Sequence, residues 1–222
     1  MIAPSPYYVQ PEGLRLSDDL GLSEKQERKL RDFTWNRVIV GTTEADEFLE
    51  WAVEEFPKRK KKVLKAAFNQ ALQARRDQQA SWPDEVRTTA LDRAFAELSE
   101  LGILAKPNFS CCGNCANHEI WDERDDSRTW RGYVYFHAQD AERIPEDRET
   151  YLGYGVFLDG HLPEAEWEAL SDEEKDQTYT QLVREVMSEA TAVIERHGIE
   201  VVWHQDLGVR ILLRNVDWYA EV

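Results

Sequence analysis

The chain has three cysteines, Cys111, Cys112 and Cys115, all within five residues of one another. They sit in the stretch Phe109-Ser110-Cys111-Cys112-Gly113-Asn114-Cys115-Ala116-Asn117-His118-Glu119. A thiolate is both a nucleophile and a metal ligand, so spacing decides which chemistry is open. Cys112-x-x-Cys115 is half of a zinc site, and His118 follows one helical turn later, where it can join the same ion. The candidate ligand set is therefore Cys111, Cys112, Cys115 and His118. Cys111 is adjacent to Cys112, an awkward pair for one tetrahedral ion, so a ligand from His137, His204 or a carboxylate is a further option.

Two other chemistries fit the same residues. A strand running into Cys-x-x-Cys at a helix start is the order that thiol redox needs, because free N–H groups there favour a thiolate. The rest of the chain does not read as a thioredoxin-like fold. A nucleophilic pair, Cys112 with His137 oriented by Asp140, is the third option. The bland alternative is that three small cysteines simply pack. His137 reads either as a polar site residue beside Gln139 and Asp140 or as the wet end of an edge strand. His118-Glu119 is not the start of a His-Glu-x-x-His zinc helix, since Asp122 stands where the second histidine belongs. No glycine-rich phosphate loop and no nucleophile elbow occur, so no reaction is assigned.

Composition limits what surrounds these residues. In 222 residues, 27 Lys and Arg face 43 Asp and Glu, a formal charge of −16. The share of hydrophobic residues, 42%, suits a globular protein with a real core and argues against wholesale disorder. Residues 116–222 carry 10 basic and 25 acidic residues, hence −15 of the total. Such a half repels phosphate backbones, which disfavours nucleic acid, and it attracts a basic protein partner. That makes an acidic interaction protein, of the inhibitor or immunity kind, the rival to a metal site. The basic run Lys58-Arg59-Lys60-Lys61-Lys62 reads as a solvated helix start. No segment has the roughly 18–20 apolar residues of a membrane span, and Met1–Pro6 lacks a charged and an apolar signal region. With clustered cysteines and no disulfide framework, a soluble cytoplasmic protein with reduced thiols is expected. Oligomeric state is left open.

The elements that must position the cysteines follow from periodicity. Residues 1–22 hold three prolines and read as an extended arm. Ser23 and Gln26 form a capping box that opens a helix to about Val38. Ala45, Phe48, Leu49, Ala52 and Phe56 mark a second helix, and Leu64 to Leu72 a third. A fourth runs over about 84–101, with Gly102 as its terminating glycine. Strands are expected over 103–109, 132–138 and 152–158. Alternation puts Tyr133, Tyr135 and His137 on one face, and Val134 and Phe136 on the other. Ser171 and Glu174 cap a long helix ended by Gly198, and a hairpin over 199–214 closes the fold. Trp35, Trp51, Trp121 and Trp167 read as core or interface anchors, and Trp203 as core. The whole is α+β: an arm (1–22), a helical region (23–101), and an α+β domain (102–222) with a mostly antiparallel sheet of about five strands on the long helix.

Several spaced motifs also resemble one family. They are Ser81-Trp82-Pro83, Leu91 to Leu98, Gly102 to Cys115, Arg131 to Asp140, Leu152-Gly153-Tyr154-Gly155, and His197 to Trp218. The Cys-Cys-x-x-Cys motif, followed by a Gly-Tyr-Val-x-Phe-His-x-Gln-Asp strand, is similar to that of an uncharacterised bacterial domain-of-unknown-function family. The resemblance spans about residues 80–218. The family motif usually continues with Gly, where this chain has Ala116. The resemblance brings no reaction with it, and it directs attention to Cys111, Cys112, Cys115, His137, Gln139 and Asp140 together.

Overall fold

The computed structural model describes residues 5–16 and 20–222, which form two compact units: residues up to 88 with 219–222, and residues 89–218. Residues 1–4 and 17–19 of the expected arm lie outside the described residues.

The first unit holds α1 (Glu24–Ile39), α2 (Asp46–Glu55), α3 (Lys61–Ala80) and the single turn α4 (Asp84–Arg87). The Ser23–Gln26 capping box is present at the start of α1. Leu30, Val38, Phe48, Leu49, Leu64 and Phe68 share one core with Leu16 and Leu20. The described arm residues are tied to this core, since the Trp35 indole N–H donates to the Tyr8 carbonyl at 2.7 Å. Residues 219–222 return to α3, where Gln79 donates to the Ala220 carbonyl and accepts from the Val222 N–H.

The second unit contains α5 (Ala90–Glu100), β1 (Ile103–Lys106), α6 (Gly113–Glu119), β2 (Gly132–Tyr135), α7 (Ala138–Ala141), α8 (Ile144–Asp147), β3 (Glu149–Val156), α9 (Glu164–Glu168), α10 (Asp172–Arg196), β4 (Glu200–Val202) and β5 (Ile211–Arg214). The helix expected over 84–101 is interrupted. Thr88 is extended, and Thr89 restarts the chain with a capping box closed by Asp92. An aspartate at that position closes the box less recognisably than the usual Glu or Gln.

The five strands run in the order β1-β2-β3-β5-β4. β1 pairs parallel to β2, and every other pair is antiparallel. One face of the sheet carries the two long helices of the unit. Along α10, Val183, Val186, Met187, Ala190, Val193 and Ile194 are buried at the spacing of one helical stripe. Phe136 meets Phe95 of α5 and Trp218 on that side. The opposite face, carrying Tyr133 and Tyr135, packs with Leu104, Phe157, and Ala116 and Ile120 of the α6 segment. The sheet thus separates the long helices from the cysteine helix. Among the tryptophans expected as core or interface anchors, Trp35 is buried, Trp51 and Trp167 are half-buried and Trp121 is 43% exposed, while Trp203, expected as core, is half-buried. No helix of the described residues is long and apolar enough to cross a membrane.

Candidate functional site

The cysteine cluster is built by a reversal of the chain after β1. Asn108 and Ser110 adopt left-handed backbone, φ 47° and 63°. Asn tolerates that region; for Ser it costs roughly 1–2 kcal/mol. The reversal is held against the extension of β2. Phe109 N–H donates to the Phe136 carbonyl at 2.8 Å, and Ala138 N–H to the Ser110 carbonyl at 3.1 Å. Strain at Ser110 is thereby offset by backbone hydrogen bonds on both sides of it.

Cys112 then serves as the N-cap residue of α6, with Cys115 at the third helical position. Side chains at these two positions face each other, as in a capping box. The sulfurs of Cys111, Cys112 and Cys115 all lie within 4.8 Å of one another. Cys111 is exposed and the other two are half-buried. The Cys115 and Asn114 N–H groups face the Cys112 sulfur without closing a formed capping bond. The Cys115 N–H is the largest influence lowering the Cys112 thiol below its ordinary value, followed by hydrogen bonds with Cys115 and Cys111. Cys115 is pushed the other way, to about 11, by its contacts with the Cys111 and Cys112 sulfurs. Hydrogen bonding within the cluster thus moves the Cys112 and Cys115 thiols in opposite directions.

What fixes α6 is Tyr135. Its hydroxyl donates to Asn117 Oδ1 at 2.6 Å and approaches the Gly113 carbonyl at 3.4 Å. The ring has room because Gly153 is its partner across the β2–β3 pair. A Cβ at Gly153 would stand 2.6 Å from the Tyr135 hydroxyl oxygen. Tyr133 and Gly155 repeat the arrangement one pair along.

Behind the cluster lies a second set of polar groups. β2 is an inner strand, so His137 is not the wet end of an edge strand; it is 6% exposed and caps α7. The chain turns there because Ala138 begins a helix, and the strand expected to reach Ala138 ends at Tyr135. His137 Nε2 lies 3.0 Å from Asp140 Oδ2, and Arg210 Nη1 lies 2.7 Å from the same oxygen. Arg210 is also 3.2 Å from His137 Nε2. As a donor Nε2 serves the Asp140 carboxylate and as an acceptor it takes the Arg210 N–H, so the ring's tautomer follows from which of the two it serves, and Nδ1 is its other nitrogen. That Nδ1 is buried and has no hydrogen-bond partner. Burial lowers the His137 pKa below the ordinary value; Asp140 opposes this and Arg210 reinforces it. The ring packs on the start of α6, where a Cβ at Gly113 would be 3.7 Å from Nε2.

Of the residues singled out in the sequence, three converge: Cys111, Cys112 and Cys115. His118 is exposed and stands outside that sulfur group, as do Gln139 and His204, which are also exposed. His137 and Asp140 are together, in the adjoining network. Arg210 was not anticipated. It lies 70 residues from Asp140 and no local spacing ties it to the site.

The family described as Domain of unknown function (DUF6891) matches residues 23–221. The chain belongs to DUF6891. The match reaches further toward the N-terminus than the motifs of residues 80–218, so the family pattern takes in the helices α1 to α4 as well as the sheet. The searches of curated proteins and of solved structures found no match to the chain. What this DUF6891 member does must therefore be read from its own site.

Proposed function

We propose that this DUF6891 protein binds zinc, held by Cys111, Cys112 and Cys115. The observation that carries the reading is the convergence of three sulfurs within 4.8 Å. Two thiolates on one zinc, each about 2.3 Å from it, stand roughly 3.8 Å apart at the tetrahedral angle. Sulfur separations that are all within 4.8 Å are compatible with that spacing, and partial exposure of the cluster leaves an entry path. Thiolates are soft ligands that favour zinc over magnesium or calcium. No histidine, aspartate or glutamate among the described residues completes the group. The fourth position is then open to water or to an incoming ligand, the arrangement that separates reactive zinc sites from closed structural ones.

The surroundings support a built site. The left-handed Ser110, the Tyr135–Asn117 bond and the Gly153 clearance all act to hold α6 where the sulfurs meet. Titrating the full, metal-stripped chain with cobalt(II) tests the reading. Intense visible bands of tetrahedral thiolate-bound cobalt, saturating at one equivalent and bleached by zinc, are expected. Only the pale spectrum of hydrated cobalt would overturn it.

A further inference from the structure

Cys112 and Cys115 are placed so that the same two sulfurs can hold a metal or bond to each other, but not both. Cys112 is the N-cap and Cys115 the third residue of α6, so their side chains meet across the first turn. Their sulfurs lie within 4.8 Å of each other and interact directly. Cys111 is also near, but a bond from it to Cys112 would close a strained ring between chain neighbours. The cluster is open to small solutes, with Cys111 exposed and the other two half-buried. The three-sulfur set also has no fourth protein ligand among the described residues, so a bound ion is not sealed in.

We infer that the site is an oxidation switch: hydrogen peroxide converts Cys112 and Cys115 to a disulfide, and the zinc is released. The inference rests on the zinc reading for the release, though not for the disulfide. One thiolate of the pair attacks the peroxide, a sulfur–oxygen bond forms, the oxygen–oxygen bond breaks and hydroxide leaves. The resulting sulfenic acid is attacked by the second sulfur. A sulfur–sulfur bond forms, the sulfur–oxygen bond breaks, and the oxygen departs as water. Peroxide is reduced by two electrons and the cysteine pair is oxidised by two. Cys111 keeps its thiol, and a single thiolate cannot retain the ion. A thiol reductant restores the pair and its affinity for zinc.

The test treats the full-length protein with stoichiometric hydrogen peroxide and follows free thiols and released zinc together. The expected result is loss of two of three thiols, release of the bound zinc, and recovery of both after reduction. Peptide mapping should place the bond between Cys112 and Cys115. Cys111→Ser should still lose two thiols, whereas Cys115→Ser should form no intramolecular bond. Three thiols persisting after peroxide, or a bond mapped to another pair, would overturn the switch. The zinc reading fails separately, by absence of zinc before any peroxide is added, and the thiol count on that metal-free chain still decides the disulfide.

Discussion

Arg210 and Asp140 are joined by a 2.7 Å ion pair in which the carboxylate side chain is 5% exposed and the guanidinium 44% exposed. The pair spans two elements, α7 and the approach to β5, and His137 is held against both members. Arg210 also lies over the Tyr151 ring at 4.9 Å, so the guanidinium is oriented as well as attracted. This network backs the first residue of the cysteine helix.

Arg210→Ala should leave the Asp140 carboxylate buried with only His137 beside it. Breaking such a pair costs most when both groups are buried; here one is nearly half in water, so a loss of about 1–3 kcal/mol is expected. Urea denaturation measures it. The same variant removes a charge that lowers the His137 pKa and leaves one that raises it. The His137 titration, followed by NMR, should therefore move upward. A downward or absent shift would show that Arg210 does not act on the ring.

Stability should depend on His137 protonation in one direction. Its folded pKa lies below the ordinary 6.5, mainly through burial, so on acidification the unfolded chain takes up this proton first. The stability is complete above about pH 6.5 and declines as pH falls below that, by at most about 1.4 kcal/mol per pH unit from this one group. His137→Gln should flatten the slope of unfolding free energy between pH 7 and pH 5. An unchanged slope would assign the pH dependence to other groups.

Gly153→Ala should cost about 1–3 kcal/mol, because the Tyr135 ring has no room to yield. It is flanked by Phe109 and by the stacked Tyr133. Displacing it also breaks the bond to Asn117 that holds α6. Gly155→Ala displaces Tyr133 instead, whose ring packs against Phe157. Both variants should be destabilised, yet zinc affinity should fall more in Gly153→Ala. Equal affinities in a calorimetric titration would remove Tyr135 from the account.

Much of this was legible in the chain because it is local. The Ser23–Gln26 and Ser171–Glu174 boxes, the glycine after α5 and the cysteine spacing are all contacts within a few residues. The alternation that sets Tyr133 and Tyr135 opposite Phe136 is local too, and it placed the right residues toward α6. What was not legible depends on neighbours far along the chain. His137 reads as the end of an edge strand until the strand order puts β2 between β1 and β3. Arg210 has no spacing that announces it, since the turn of the hairpin alone brings it to Asp140. His118 follows the cysteines at helical spacing, yet it sits on the exposed side of α6, while the opposite side is buried through Ala116. Trp121 reads as a core or interface anchor from its size, and which of the two it is shows only in the fold, where it stands exposed beneath the Arg124 guanidinium.

Substitution of the candidate ligands separates the sulfurs from the imidazole. Cys111→Ser, Cys112→Ser and Cys115→Ser should each lower zinc affinity by at least tenfold, about 1.4 kcal/mol, in competition with a chromogenic chelator. His118→Ala should leave it within twofold. A loss in His118→Ala equal to that of the cysteine variants would make the imidazole a ligand and require α6 to rearrange on binding.

The most direct measurement is the zinc content of the full-length protein purified without chelators, taken together with the number of thiols that alkylate. The account predicts about one zinc per chain, with Cys111, Cys112 and Cys115 protected from alkylation until the metal is stripped. A chain that carries no zinc, takes none up when it is supplied, and alkylates at all three cysteines at once would contradict it.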